Sequence, residues 1–177
     1  DVLSLEAKNT QSVNTIYFNN NKIIGHNTDI SGFELAIKDT NYKIEKKKIL
    51  ILGAGGVVPS IIFALLKMKV LNITLSNRTR AKAETLKNLF NDLNVIDWGK
   101  TTDFDMIINA TSVGLKNDDE LNLDFSKIGK EKFFYDVIYN PKETSFLRKG
   151  KKLGHKTENG KKMFIYQAAQ AFKIWHK

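Results

Sequence analysis

An α/β protein built on an open, doubly wound parallel sheet is the fold this sequence predicts. Three observations carry it. The stretch Lys48-Ile49-Leu50-Ile51-Leu52 is nearly all apolar, as in a strand buried on both faces of a parallel sheet. Gly53-Ala54-Gly55-Gly56 follows at once and leads into helical sequence. From there strand-like and helix-like stretches alternate at the spacing of parallel strands joined by crossover helices.

In chain order, residues 13–18 (Val-Asn-Thr-Ile-Tyr-Phe) read as a strand. Asn19-Asn20-Asn21 makes a turn and residues 22–25 return, forming a hairpin. Thr28 or Asp29 caps a helix that runs through Lys38, with Phe33, Ala36 and Ile37 on one face. The buried strand at 48–52 precedes a helix over 57–68. Pro59 is tolerable there because it falls in the first turn. A strand at 72–76 and a helix at 79–90 come next, then strands at 94–98, 105–109 and 133–138. The last segment, 160–175, reads as an amphipathic helix with Met163, Tyr166, Ala169, Ala171 and Phe172 available for burial.

Composition narrows the class. The 177 residues are 42% hydrophobic and 27% charged, with no cysteine. That fits a soluble globular chain without disulfides or thiolate chemistry. The longest apolar run, residues 61–66, ends at Lys67 and is too short to span a bilayer. The first residues carry acidic groups and no apolar signal-like region, so the expected location is the cytoplasm. Net charge is +9, but the Lys residues are scattered and no aromatic interleaving marks a nucleic-acid platform. The positive field suits an anionic cofactor or substrate.

The loop after the first parallel strand is the most informative feature. Glycine permits the tight turn and close backbone approach that a pyrophosphate needs, and a helix N-terminus supplies free N–H groups. Gly-x-Gly also serves purely steric turns, and here the order strand, glycines, helix, strand favours the nucleotide reading. Val58 stands at the third small position of the dinucleotide fingerprint. The strand at 72–76 ends in Ser76-Asn77-Arg78-Thr79-Arg80. No carboxylate is present to hold a ribose 2′-hydroxyl, and two guanidinium groups are present to meet a 2′-phosphate. NADP is therefore the expected cofactor. The plainer reading, with Asn77 capping the next helix and the Arg residues solvated, is compatible with it.

These residues resemble the shikimate dehydrogenase family. Gly53-Ala54-Gly55-Gly56 with Asn77-Arg78-Thr79 is shared with glutamyl-tRNA reductases, but further segments match only the former. Ser12-Val13-Asn14-Thr15 resembles the family's Ala-Val-Asn-Thr, and residues 25–32 resemble Gly-x-Asn-Thr-Asp-x-x-Gly. Residues 108–114 and 135–141 resemble the ends of its fourth and fifth cofactor-domain strands. Asn159-Gly160-x-x-Met163 with Gln167-Ala168 resembles its C-terminal helix.

The resemblance implies a Rossmann-like NADP domain with remnants of a second, substrate-binding domain, and reversible reduction of 3-dehydroshikimate to shikimate in aromatic amino-acid biosynthesis. It implies that Asn14 and Asp29 bind substrate hydroxyls, with Asp29 also half of a Lys–Asp catalytic pair. Tyr139 and Gln167 complete the substrate contacts. Gly53, Ala54, Gly55, Gly56 and Val57 hold the pyrophosphate. Asn77, Arg78, Thr79, Arg80 and Lys82 hold the 2′-phosphate, and Val137 and Gly160 meet the nicotinamide. Each has a plainer alternative: Asn14 as a surface residue, Asp29 as a helix cap, Tyr139 over a turn, Gln167 solvated, and residues 109–112 as turn chemistry. The expected division is residues 1–28 as substrate-domain remnant, 29–159 as the NADP domain and 160–177 as a helix facing the substrate domain. A small-molecule substrate is expected as partner, with no nucleic acid and no membrane, and a homodimer is left open.

The chain departs from the family in one respect. No Asn-Val-Thr-x-Pro-x-Lys, the family's catalytic-lysine segment, occurs in it, nor does the Ser-x-Ser pair that precedes it. The expectation is a C-terminal piece of a longer enzyme, with an exposed apolar face. Such a piece binds NADP(H) but turns over slowly or not at all, since general acid–base help is worth ~10²–10⁴ in rate. Lys162 for a frequent Gly and Pro59 for a frequent Arg are smaller departures. An NAD(P)-dependent quinate/shikimate dehydrogenase and a non-catalytic NADP-binding module are the alternatives.

Overall fold

The computed structural model describes residues 1–116, 119–125 and 128–176. In chain order its elements are β1 (Val2–Leu3), α1 (Leu5–Thr10), β2 (Thr15–Asn19), β3 (Lys22–His26), α2 (Asp29–Asp39), β4 (Lys48–Leu52), α3 (Val58–Lys67), β5 (Asn72–Ser76), α4 (Arg80–Leu89), β6 (Leu93–Ile96), β7 (Met106–Asn109), β8 (Phe133–Asp136), α5 (Ser145–Lys152), β9 (Lys156–Glu158) and α6 (Lys161–Trp175). They fall into two compact units. One comprises Asp1–Lys43, Gly56–Met68 and Lys162–Lys177, the other Ile44–Gly55 and Lys69–Lys161. This grouping cuts the chain differently from a division at residues 28 and 159. Helices α2 and α3 go with the hairpin and α6 rather than with the parallel sheet. Lys177, the last residue of the expected helical segment, lies outside the described residues.

The larger unit is a six-stranded sheet in the order β6-β5-β4-β7-β8-β9, parallel throughout. The central strands β4, β7 and β8 are short, largely apolar runs that are buried along almost their whole length. In β4, Ile49, Leu50, Ile51 and Leu52 are all buried. Strand order reverses between β4 and β7, the crevice where sheets of this kind bind ligands. Register lines up the C-terminal ends: Leu52 opposite Ser76 and Asn109, and Asn109 opposite Asp136. The four loops that follow leave from one edge. Behind them lies a core that includes Leu50, Phe104, Ile107, Phe125, Phe134 and Phe146. Phe134 packs edge-on to Phe125 at 5.2 Å and tilted against Phe146 at 5.1 Å between ring centres.

Two strands stop short of the sequence reading, each for a local reason. The fifth predicted strand stops at Asp136 rather than 138, because the Asp136 carboxylate accepts the Ile138 N–H at 3.0 Å. The strand predicted at 94–98 stops at Ile96, where the Asp97 carbonyl accepts from the Ser76 hydroxyl at 3.1 Å. Four elements, β1, α1, α5 and β9, have no counterpart in the sequence reading. Helix α5 carries few apolar residues, but Thr144 caps it, accepting from the Leu147 N–H at 3.3 Å. Phe146, Leu147 and Gly150 form its buried side.

The smaller unit holds a three-stranded sheet, β1-β3-β2, and helices α1, α2, α3 and α6. The β2–β3 hairpin turns through Asn20 and Asn21, both at positive φ (48° and 60°), the backbone a tight two-residue hairpin requires. Helix α2 begins after Thr28, which makes no side-chain capping bond. The Asn27 side chain accepts the Asp29 N–H instead, at 3.0 Å. Only part of the expected face of α6 is covered. Met163 and Ala171 are buried and Tyr166 is half-buried, whereas Ala169 and Phe172 are exposed. The stripe on α6 is split: Phe164, Ile165, Phe172 and Trp175 remain exposed, as do Leu5, Ile16 and Phe18.

Gly32 brings α2 and α6 together. A Cβ there would lie 2.8 Å from the Gln167 Cβ and 3.0 Å from the Met163 carbonyl oxygen. Gly32→Ala is therefore expected to destabilise the fold by ~1–3 kcal/mol through overpacking. Gly56→Ala, whose Cβ meets nothing within 4 Å, is expected to stay within about 0.5 kcal/mol of the parent. Equal denaturant midpoints for the two variants would contradict the close helix approach.

Candidate functional site

A cleft of about 340 Å³ opens at the C-terminal edge of the parallel sheet. One wall is Gly53, Ala54 and Gly55. Gly53 has φ +106°, and a Cβ there would fall 2.6 Å from the Ala110 carbonyl oxygen. Only glycine fits both conditions. Gly55 meets nothing closer than 3.9 Å, so its backbone is open to a ligand. The chain continues through Gly56 into α3. Val57, at the N-cap of α3, makes no side-chain capping bond.

The second wall follows β5. Asn77, Arg78, Thr79 and Lys82 line it. The Asn77 side chain donates to the Thr79 carbonyl at 2.7 Å and fixes the turn. Thr79, not Asn77, stands at the cap position of α4, and it makes no side-chain capping bond. Arg78 and Lys82 are exposed, and among the described residues no carboxylate lines the cleft. An anion fits this donor set, and a bare ribose 2′-hydroxyl finds no carboxylate among these lining residues. Arg80, expected beside them, is committed elsewhere: it pairs with Asp97 and, at 3.2 Å, with Glu84. The third wall is formed by Thr111, Ser112 and Val113 after β7, and by Trp98, which the sequence reading missed.

Val137 and Gly160 meet within the same unit. A Cβ on Gly160 would overlap the Val137 carbonyl oxygen at 1.9 Å, and the Gly160 N–H donates to the Ile138 carbonyl at 3.1 Å. Tyr139 follows on the same loop, about half exposed. Buried polar groups hold these loops. Asp136, fully buried, accepts from the Thr144 hydroxyl at 2.6 Å, the Ile138 N–H at 3.0 Å and the Asn109 amide at 3.1 Å. Asn109 Oδ1 in turn accepts from the Thr111 hydroxyl at 2.7 Å and N–H at 3.1 Å. The turn reading of residues 109–112 is therefore the one the hydrogen bonds realise for Asn109, while Thr111 and Ser112 still line the cleft.

In the smaller unit, Asn14, Asp29 and Gln167 gather around Thr28. Asn14 Oδ1 accepts from the Thr28 N–H and the Thr15 hydroxyl, both at 2.9 Å. The buried Thr28 hydroxyl lies 3.2 Å from Asn14 Oδ1 and 3.5 Å from Gln167 Oε1, so its one proton serves either. Gln167 Nε2 donates to the Phe164 carbonyl at 3.0 Å. Burial raises the half-buried Asp29 carboxyl above its ordinary value, and a hydrogen bond from Asn14 opposes that. The carboxyl is thereby moved toward the range of proton-transfer groups. Asn27, also buried, anchors the segment by donating to the Ser60 hydroxyl at 2.9 Å and the Ser12 carbonyl at 3.0 Å. Lys162 is turned to Asp39 at 2.8 Å.

Residues 34–133 match the family model for shikimate / quinate 5-dehydrogenase. The chain is 62% identical over its whole length to the shikimate dehydrogenase (NADP(+)) of Pelagibacter ubique and covers 67% of that protein. The shikimate 5-dehydrogenase of Thermus thermophilus, solved with NADP(H) and shikimate, superposes on 99% of the chain with a TM-score of 0.88 at 32% identity, over 66% of its own length. A quinate dehydrogenase of Corynebacterium glutamicum, solved with NAD, gives 0.89 at 28% identity, with 98% and 65% covered. The chain spans about two thirds of the length of these relatives.

One pH effect follows. Burial raises Asp136 to about 6 from 3.8, against the pull of its three donors. The folded state thus holds that proton more tightly than the unfolded chain. The stability this group contributes is complete below about pH 4 and is lost as pH rises through about 6. Asp136→Asn is expected to lack that slope, so the difference between parent and variant melting temperatures changes between pH 4 and 7. A constant difference between pH 4 and 7 would contradict the buried carboxylate.

Proposed function

The chain belongs to the shikimate / quinate 5-dehydrogenase family, and from that premise we propose that it binds NADP(H) and takes part in the reversible reduction of 3-dehydroshikimate to shikimate. The observation that carries the reading is the cleft wall after β5, where Arg78, Thr79 and Lys82 stand with no carboxylate among the described lining residues. Bound NADPH supplies the hydride. Ala54, Gly55, Gly56 and Val57 take the pyrophosphate on backbone N–H groups, and Gly53, whose own N–H is held by the Ser76 carbonyl, gives the close turn that brings them to it. Asn77, Arg78, Thr79 and Lys82 take the 2′-phosphate. Val137 and Gly160, whose backbones are in close contact, meet the nicotinamide.

On the substrate side, Asn14 and Asp29 hold ring hydroxyls, with Tyr139 and Gln167 as further contacts. The proposed role of Asp29 in proton handling draws support from its raised carboxyl. Asn14, pinned by Thr15 and Thr28, presents its remaining amide donors in a fixed direction. The chain contains no Asn-Val-Thr-x-Pro-x-Lys, so turnover by these 177 residues is expected to be slow, and ligand binding is the sharper test. The same reading places the protein in the cytoplasm; a homodimer is a further element of it.

Arg78→Gln and Lys82→Gln are each expected to weaken NADP⁺ binding about 10- to 100-fold, the range for losing a hydrogen bond to a charged group at ~1.5–3 kcal/mol. NAD⁺ binding, measured by the same calorimetric titration, is expected to stay within about threefold. If the parent binds both nucleotides equally and Arg78→Gln changes neither, the 2′-phosphate assignment falls and an NAD-linked dehydrogenase takes its place.

A further inference from the structure

We propose that Trp98 is the surface on which the adenine ring stacks, and that Arg80, acting through Asp97, is a positioning residue that holds it there. The proposal rests on the NADP reading above. In NADP the base and the 2′-phosphate sit on neighbouring carbons of one ribose. The groups that take them must therefore share a cleft, about one sugar apart. Trp98 lines the same cleft as Arg78, Thr79 and Lys82, and it is the only aromatic among the described lining residues. It is half-buried, packing against the core that contains Leu52 and Phe104, with the remainder free to face the cleft. A flat, uncharged base seeks such a surface, since stacking on an aromatic ring needs no particular hydrogen-bond pattern.

The backbone beside Trp98 is fixed from two sides. Strand β6 leaves the sheet at Ile96, and the Asp97 carbonyl accepts from the Ser76 hydroxyl at 3.1 Å and from the Lys100 N–H at 3.2 Å. The Asp97 carboxylate meets Arg80, which Glu84 also holds. This gives Arg80 a use other than phosphate binding. Because the Arg80–Asp97 pair is exposed, its contribution is small and falls with salt.

The chain has two tryptophans, so Trp175→Phe leaves Trp98 as the sole indole emitter. With that variant, adenosine 2′,5′-bisphosphate is expected to change the emission saturably, whereas nicotinamide mononucleotide leaves it unchanged. Trp98→Leu is expected to weaken the bisphosphate about 5- to 150-fold. Trp98→Phe, which keeps a ring and a filled core, is expected to weaken it by less than about fivefold, and Arg80→Met by up to about fivefold at low salt and less at high salt. Bisphosphate binding that leaves the Trp98 emission unchanged, or that Trp98→Leu does not weaken, overturns the stacking role while the NADP reading stands. If neither the bisphosphate nor NADP⁺ binds the parent chain, the NADP reading fails and the stacking role with it.

Discussion

Gly53 leaves β4 with a backbone dihedral that side chains avoid, at a point where the Ala110 carbonyl would occupy the place of a Cβ. That close approach joins the loops after β4 and β7, the two strands between which the order of the sheet reverses. Around it the hydrogen bonds converge. The Gly53 N–H donates to Ser76 at the end of β5, and the Ala110 N–H to Leu52 at the end of β4, each at 2.8 Å. The cleft is the space left above this junction. Its glycine wall is therefore fixed by packing before any ligand arrives, which lowers the ordering cost of binding.

The polar groups near this edge do different work from the apolar run that precedes them. Leu50, Leu52, Ile107 and Phe134 stabilise the sheet without directing it toward any chemistry. Asn109 and Asp136, one step further along their strands, are equally buried but turn the chain. Between them they fasten the loop that lines the cleft to the loop that carries Val137 and Tyr139. A buried carboxylate facing three donors costs more to ionise than an exposed one, yet losing it would leave three donors unpaired.

The parallel sheet was legible because its strands are apolar runs and its turns are glycines, and both signals are local. The cleft wall after β5 was legible for the same reason, since Asn77, Arg78 and Thr79 are consecutive. What stayed hidden depends on distant partners. Helix α5 has few apolar residues and owes its place to Phe134 and to the Thr144 cap. Strand β9 is three polar residues that pair only because β8 is beside them. Arg80 reads as a phosphate ligand beside Arg78, and only the folded position of Asp97 shows where it goes. Trp98 carries no motif, and its place in the cleft comes from strand register. The grouping of Asn14 with Thr28 and Gln167 was legible only through family resemblance, because nothing in the spacing of residues 14 and 167 brings them together.

The central claim is that NADP⁺ binds in the cleft at the carboxyl edge of the sheet. Amide chemical-shift mapping of the 177-residue chain with added NADP⁺ tests it most directly. The account predicts saturable shifts at Gly53, Ala54, Gly55, Asn77, Arg78, Thr79, Lys82 and Thr111, with much weaker effects from NAD⁺ at residues 77–82. Shifts confined to another surface, or none at saturating nucleotide, would contradict it.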